Sequence, residues 1–187
     1  MIEFNKEKFK NLVLYVCTKC DPKELGSTKL NKVLWYSDMF SYLYLQKPII
    51  GEVYVKRQFG PVPKHILPII DEMEFEKQIV TRDGEIFGYG KKEYIALKKP
   101  DLALFTAEEI SMVDNLIEFI CKEHTAKAIS EASHDRIWEL AEIGEEIPYH
   151  AFLESYFDGR EIFFTCVVLD KTVCAFRCVV RVHVGVA

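Results

Sequence analysis

The chain has 187 residues, 49% of them hydrophobic, 28% charged and 13% aromatic, with a formal net charge of −5 at pH 7. This is the size and composition of one ordinary globular domain with a real core, and the chain holds no low-complexity tract. Apolar runs are broken by charge before the roughly 18 residues that a bilayer span needs, and Met1-Ile2-Glu3-Phe4-Asn5-Lys6 lacks the cationic and then apolar order of a secretory signal, so a cytoplasmic protein is expected.

Phe9, Leu12, Val13, Val16 and Cys20 recur at the spacing of one helical face, which predicts a helix over residues 5–20, ended by Pro22 and Gly26. Ser27 or Thr28 can cap a second helix from about Lys29 to Gln46. This helix is apolar almost all round, the pattern of a central core helix whose tyrosine hydroxyls reach the surface. Gly51 to Gln58 alternates as a short strand, and Phe59-Gly60-Pro61-Val62-Pro63 reads as a turn. Pro63 suits the first turn of a third helix through Ile66, Leu67, Ile69, Ile70 and Met73, which Pro68 should kink or split. Residues 77–97 read as a hairpin turning at Asp83-Gly84.

Thr106-Ala107-Glu108-Glu109 forms a capping box that opens a helix continuing to Ile120. His124-Thr125 breaks that helix, and Thr125 can cap a short helix to about Ala132. A further short helix should start near Asp135 and carry Ile137, Trp138 and Leu140 before a turn at Gly144 to Pro148. Residues 156–187, rich in Val, Phe and Cys around Asp170-Lys171, suit a β-hairpin. Such an apolar stretch needs cover from the sheet, the body or a second copy, so a homo-oligomer is one expectation. The fold class expected is α+β: a mainly helical single domain with a small antiparallel hairpin or sheet and a winged-helix-like core. Its division is 1–155 for the domain and 156–187 for a C-terminal extension.

No convergent catalytic set emerges, so the chain is not expected to be an enzyme. The five histidines are scattered, and adjacent Ser133-His134-Asp135 cannot supply the ordered hydrogen bonds of a triad. Gly84, Gly88 and Gly90 belong to the hairpin and form no phosphate cradle. Six cysteines in a chain this long read as reduced thiols. Cys17-x-x-Cys20 with Cys174 and Cys178 could supply four thiolates, but the first pair falls in a helical pattern, so neither metal nor cofactor is expected. The third helix sets Asp71, Glu72, Glu74 and Glu76 against Lys64, His65 and Lys77, which argues against reading nucleic acid. Residues 101–155 hold thirteen Asp or Glu against three Lys or Arg, a net −10. A block this acidic raises the encounter rate with a basic partner surface.

One ordered pattern is more specific. Lys29-Leu30-Asn31-Lys32 precedes Trp35-Tyr36 and Asp38, then Pro48-Ile49-Ile50-Gly51, Tyr54 and Phe59-Gly60-Pro61-Val62-Pro63. Downstream follow Phe105-Thr106, Ser133-His134, Trp138, Gly144 and Ile147-Pro148-Tyr149. Together these resemble the Panacea domain of SocA-like antitoxins, found in toxin–antitoxin systems and phage-associated proteins. The resemblance implies a protein that neutralises a cognate protein toxin by direct binding. The alternatives are an adaptor delivering the toxin to a cytoplasmic protease and a phage or mobile-element regulator acting on nucleic acid. Many members carry a DNA-binding helix-turn-helix ahead of the domain, whereas this chain begins with the domain itself. Trp35, Tyr36, Phe59 and Trp138 are the candidate anchors for a partner. Glu108, Glu109, Glu142, Glu145 and Glu146 are the candidates for steering a basic toxin.

Overall fold

A computed structural model describes residues 2–86, 89–152, 164–169 and 173–178. Helix α1 (Lys6–Lys19) starts where the Asn5 side chain accepts the Lys8 amide at 2.9 Å. A short first turn, capped by the Asp21 carboxylate with Pro22 at its first position, precedes the long second helix, and the two together are α2 (Pro22–Leu45). Gly26 interrupts it at φ 59 and ψ 162, separating one initial turn from the long helix.

Strand β1 (Tyr54–Arg57) pairs antiparallel with β2 (Gly60–Pro63). The Gly-Pro-Val-Pro run expected to be a turn is therefore a strand, and the reversal falls at Gln58-Phe59. Proline is tolerated there because β2 is an edge strand in the order β2-β1-β5, where a missing N–H breaks no ladder. Helix α3 (Ile66–Phe75) starts after Pro63, not with it, and runs through Pro68 without a break. Pro68 is its third residue, where the N–H has no helical partner to lose. Strands β3 (Ile79–Ile86) and β4 (Tyr89–Ala96) pair from Ile79↔Ala96 to Ile86↔Tyr89. Asp83 and Gly84 lie mid-strand opposite Lys92 and Lys91, so they are not the turn.

The capping box at Thr106 and Glu109 is present and starts α4 (Ala107–Ile117). A π-helical stretch, Glu118–Glu123, extends α4 before Thr125 caps α5 (Ala126–Ala132). Asp135 receives the Trp138 amide at the start of α6 (Arg136–Leu140). The segment read as a closing turn contains β5 (Glu146–Ile147), which pairs with Val55 and Tyr54 of β1. In the C-terminal region, β6 (Phe164–Leu169) and β7 (Val173–Cys178) pair antiparallel. The rest of 156–187, including the side chains of Cys174 and Cys178, lies outside the described residues.

The result is a mainly helical α+β arrangement with small antiparallel sheets. The helix-then-hairpin order of α3, β3 and β4 is kept, while β1 pairs with β2 and β5. Helix α2 is the axis, packing against α1, α4, α5, β2 and β4. Its Leu30, Leu34, Trp35 and Met39 join Phe9, Leu12, Val113, Leu116, Ile69 and Met73 in one core. No described helix is long and apolar enough to cross a membrane.

Three charged residues of α2 are buried, Lys29, Lys32 and Asp38, and the last two are held by groups of the sheet and the segments beside it. Asp38 accepts the amides of Ile50 at 2.7 Å and Glu52 at 3.1 Å, and the hydroxyls of Tyr54 at 3.1 Å and Tyr149 at 2.8 Å. The two phenols also lie 2.8 Å from Leu34 O and 2.7 Å from Glu52 O, so each divides one proton between two acceptors. Burial pushes the Asp38 carboxyl up to about 6 despite its donors. A neutral carboxyl can donate to one phenol oxygen and free that phenol's proton for the carbonyl. Six residues before Asp38, the Lys32 ammonium donates to Pro61 O at 3.0 Å. Burial lowers its pKa to about 7, with Asp135 opposing. Gly60 has φ +99, and a Cβ there would fall inside van der Waals contact of Lys32 Nζ and Ser133 Oγ.

Truncating the Asp38 side chain leaves two buried amides without an acceptor. We expect Asp38→Ala to lower stability by about 3 kcal/mol or more in urea unfolding; a loss below about 1 kcal/mol would show that the network is dispensable. The pH profile follows from the two shifts. Asp38's contribution is full below its ordinary 3.8 and is lost as pH rises through about 6. That of Lys32 is lost as pH falls through about 7 and is full only above its ordinary 10.5. Lys32→Met should therefore flatten the rise in stability above pH 7, and a profile parallel to wild type would contradict the assignment.

Candidate partner-binding surface

The polar groups around β1 fasten the segment after α6 onto the sheet. The Lys56 ammonium donates to Ala141 O at 2.9 Å, so a nearly buried cation meets the carbonyl end of α6. It also lies 4.0 Å from the centre of the Trp138 ring, a cation–π contact. The Trp138 indole N–H donates to Arg57 O at 3.1 Å, and Ser130 Oγ donates to Phe59 O at 3.0 Å. Gly144 N donates to Lys56 O, and Lys56 N to Glu145 O, each at 2.9 Å. Glu142 N donates to Glu145 Oε2 at 2.6 Å. Strand β1 thus holds the chain from α6 to β5 from beneath through its backbone.

The His134 ring stacks on Trp138 at 3.7 Å. Burial lowers its pKa, with Lys32 and Lys56 pushing the same way, so this histidine is held neutral. Its Nε2 is buried without a partner.

The sequence-predicted anchors divide between core and surface. Trp35 and Tyr36 are 1% and 3% exposed. Trp35 meets Tyr54 edge-on at 4.9 Å, and Tyr36 stacks on Phe40 at 5.6 Å. Phe59 is 60% exposed on the β1–β2 turn, and Trp138 is half-buried beside the same strand. The structure therefore brings Phe59 and Trp138 to one end of the sheet and leaves Trp35 and Tyr36 inside.

The acidic candidates divide too. Glu109 is fully buried, with both oxygens near the Lys8 ammonium at 3.0 and 2.9 Å and a bond from Thr106 N at 2.9 Å. Glu108 is exposed in the first turn of α4. Glu142, Glu145 and Glu146 are exposed between α6 and β5, and Glu146 pairs with Lys64 at 2.7 Å.

Sequence reasoning missed Leu140 and Ile143, which are 76% and 65% exposed among those glutamates. Periodicity had assigned Leu140 to a helix, and nothing local marks its side chain as outward. Lys32 and Asp38 stood out only as parts of the ordered pattern, although charges on the apolar stretch of α2 were a usable signal of their buried role.

Cys17, Cys20 and Cys121 are buried free thiols. Burial pushes Cys17 up to about 12, which keeps it protonated. Among the described residues no group of three or more His, Cys, Asp or Glu is placed to hold a metal ion. What remains is an exposed surface of mixed apolar and acidic side chains above a hydrogen-bonded polar support.

No curated protein and no solved structure matches the chain. The family model for the SocA-like antitoxin, Panacea domain, matches residues 30–139, more than half of the 187. That span opens on α2 with Lys32 and Asp38 and closes on Trp138 and Glu139, so it contains both of these charges and most of the framework they support. The chain belongs to the SocA-like antitoxin family with a Panacea domain.

Proposed function

We propose that this protein is the antitoxin of a toxin–antitoxin pair and neutralises its toxin by direct protein–protein binding in the cytoplasm, without chemistry of its own. Family membership carries this reading. The anchors it invokes at the interface are Phe59 and Trp138, while Trp35 and Tyr36 act through the core that positions β1. A stable complex of this kind buries about 1,600 Å². The acidic block over residues 101–155 favours a partner whose contact surface is basic. The third helix, with Asp71, Glu72 and Glu74, weighs against a nucleic-acid-reading role. Its Glu72 and Glu76 are held by Lys10 at 2.8 and 2.9 Å and Glu74 by Thr81 Oγ1 at 2.7 Å, and exposed Asp71 shares its outer side with Leu67 and Phe75.

Co-expression with the product of the adjacent gene tests the function. The neighbour should arrest growth alone, be harmless in the presence of this protein, and co-purify with it at an undiminished level. A toxin that disappears when the pair is co-expressed would indicate delivery to a protease. A neighbour harmless by itself would remove the antitoxin reading. Kinetics tests the electrostatics separately. Replacing Glu108, Glu142, Glu145 and Glu146 with Gln should slow association and flatten its dependence on salt, with dissociation changing less. An unchanged salt slope would show that these carboxylates do not steer the partner.

A further inference from the structure

An exposed patch of mixed character runs from the end of α6 to the start of β5. Glu139-Leu140-Ala141-Glu142-Ile143-Gly144-Glu145-Glu146 alternates exposed carboxylates with two large apolar side chains that the core does not use. An isolated exposed leucine is ordinary, but Leu140 and Ile143 stand three residues apart, 76% and 65% exposed, on one short segment. The β1–β2 turn adds Phe59 at the same end of the sheet. Its neighbour Arg57 receives the Trp138 indole at 3.1 Å, and the Arg57 guanidinium reaches 3.9 Å from the Cβ position of Gly144.

The backbone beneath these side chains is fixed by contacts that involve none of them. Lys56 holds the carbonyl of Ala141 at 2.9 Å and that of Glu139 at 3.5 Å. The Gly144 amide is tied to Lys56 O at 2.9 Å. Gly144 itself has φ +91, a conformation that favours glycine and sharply reverses the chain between Ile143 and Glu145. A segment ordered in this way presents its apolar side chains without an ordering cost on binding.

Charge decides what can cover them. Four exposed carboxylates, Glu139, Glu142, Glu145 and Glu146, rim the patch. Lys64 pairs with Glu146, Arg57 lies near Gly144, and the Lys56 ammonium is turned inward onto the Ala141 carbonyl. An acidic or neutral apolar partner would leave this rim unmatched, whereas Lys or Arg beside an apolar anchor satisfies both features.

We infer that the Phe59, Leu140 and Ile143 surface is the docking site for a basic amphipathic segment of the protein partner, with aliphatic or aromatic side chains flanked by Lys or Arg. This rests on the antitoxin reading for the identity of that partner, but the recognition chemistry is testable without it.

The probe is a synthetic amphipathic peptide of Leu and Lys, titrated into the full chain, with a Leu and Glu peptide of the same pattern as control. Leu140→Ser with Ile143→Ser should weaken binding of the Leu and Lys peptide about tenfold or more. The control pair Leu67→Ser with Phe75→Ser on exposed α3 should leave it unchanged. The Leu and Glu peptide should not bind. Equal binding by the Leu140 and Ile143 variant, or equal loss in the α3 variant, overturns the inference. Because all four side chains are exposed, both variants should melt like wild type. The same variants then enter the growth assay. If wild type and the Leu140 and Ile143 variant rescue growth equally, the docking assignment fails while the antitoxin reading stands. If wild type gives no rescue but the peptide results hold, the antitoxin reading fails and the recognition surface stands.

Discussion

The structure depends on two charges buried along one helix. Lys32 and Asp38 lie on the buried length of α2, and neither can be left unsatisfied without a large desolvation cost. Asp38 draws in the backbone at Ile50 and Glu52, Tyr54 of β1 and Tyr149 beyond β5. Lys32 draws in Pro61 of β2 and, through the tight packing at Gly60, Ser133 after α5. These contacts set the register of the β2-β1-β5 sheet against α2, and the sheet in turn carries the exposed segment between α6 and β5. Hydrophobic burial supplies most of the driving force, and the charged groups add directional contacts that tie α2 to the sheet.

The same polar contacts join residues that are widely spread along the chain. Lys32, Asp38, Tyr54, Gly60, Ser133 and Tyr149 are far apart in sequence and meet in two polar clusters. They are scaffold residues. Trp35 belongs with them, packed on Tyr54 and Phe152. The residues proposed for recognition lie outside the clusters, where Phe59, Leu140, Ile143 and the surrounding glutamates are exposed. Such a division lets one fold serve partners of different chemistry by changing an outer segment while its support is retained.

Features governed by local chemistry were legible in the sequence. The capping box at Thr106 and Glu109, the Thr125 cap and the amphipathic α1 need no information beyond a few neighbouring residues, and all are present. Features governed by distant pairing were not. The two-residue strand β5 exists because Tyr54 and Val55 lie across from it, some ninety residues earlier. The Gly-Pro-Val-Pro run reads as a turn until its place at the edge of a sheet is known. Asp83-Gly84 carries a strong turn signal, yet the pairing continues past it to Ile86 and Tyr89. For the surface, an aromatic residue in sequence does not declare its side: Phe59 is outward and Trp35 inward. Buried lysines are hidden in the same way, since Lys29 reaches Cys121 O at 2.7 Å and so satisfies a carbonyl of the π-helical stretch, a contact no local pattern suggests.

The central claim is that a buried polar framework supports a separate outer recognition segment. Hydrogen exchange of this protein, free and in complex with the co-expressed neighbour, tests it most directly. The account predicts new protection at residues 57–60 and 139–146, with the amides of Ile50 and Glu52 already protected in the free protein. Protection confined to α3 or to the first turn of α4, with residues 139–146 still exchanging freely in the complex, would contradict it.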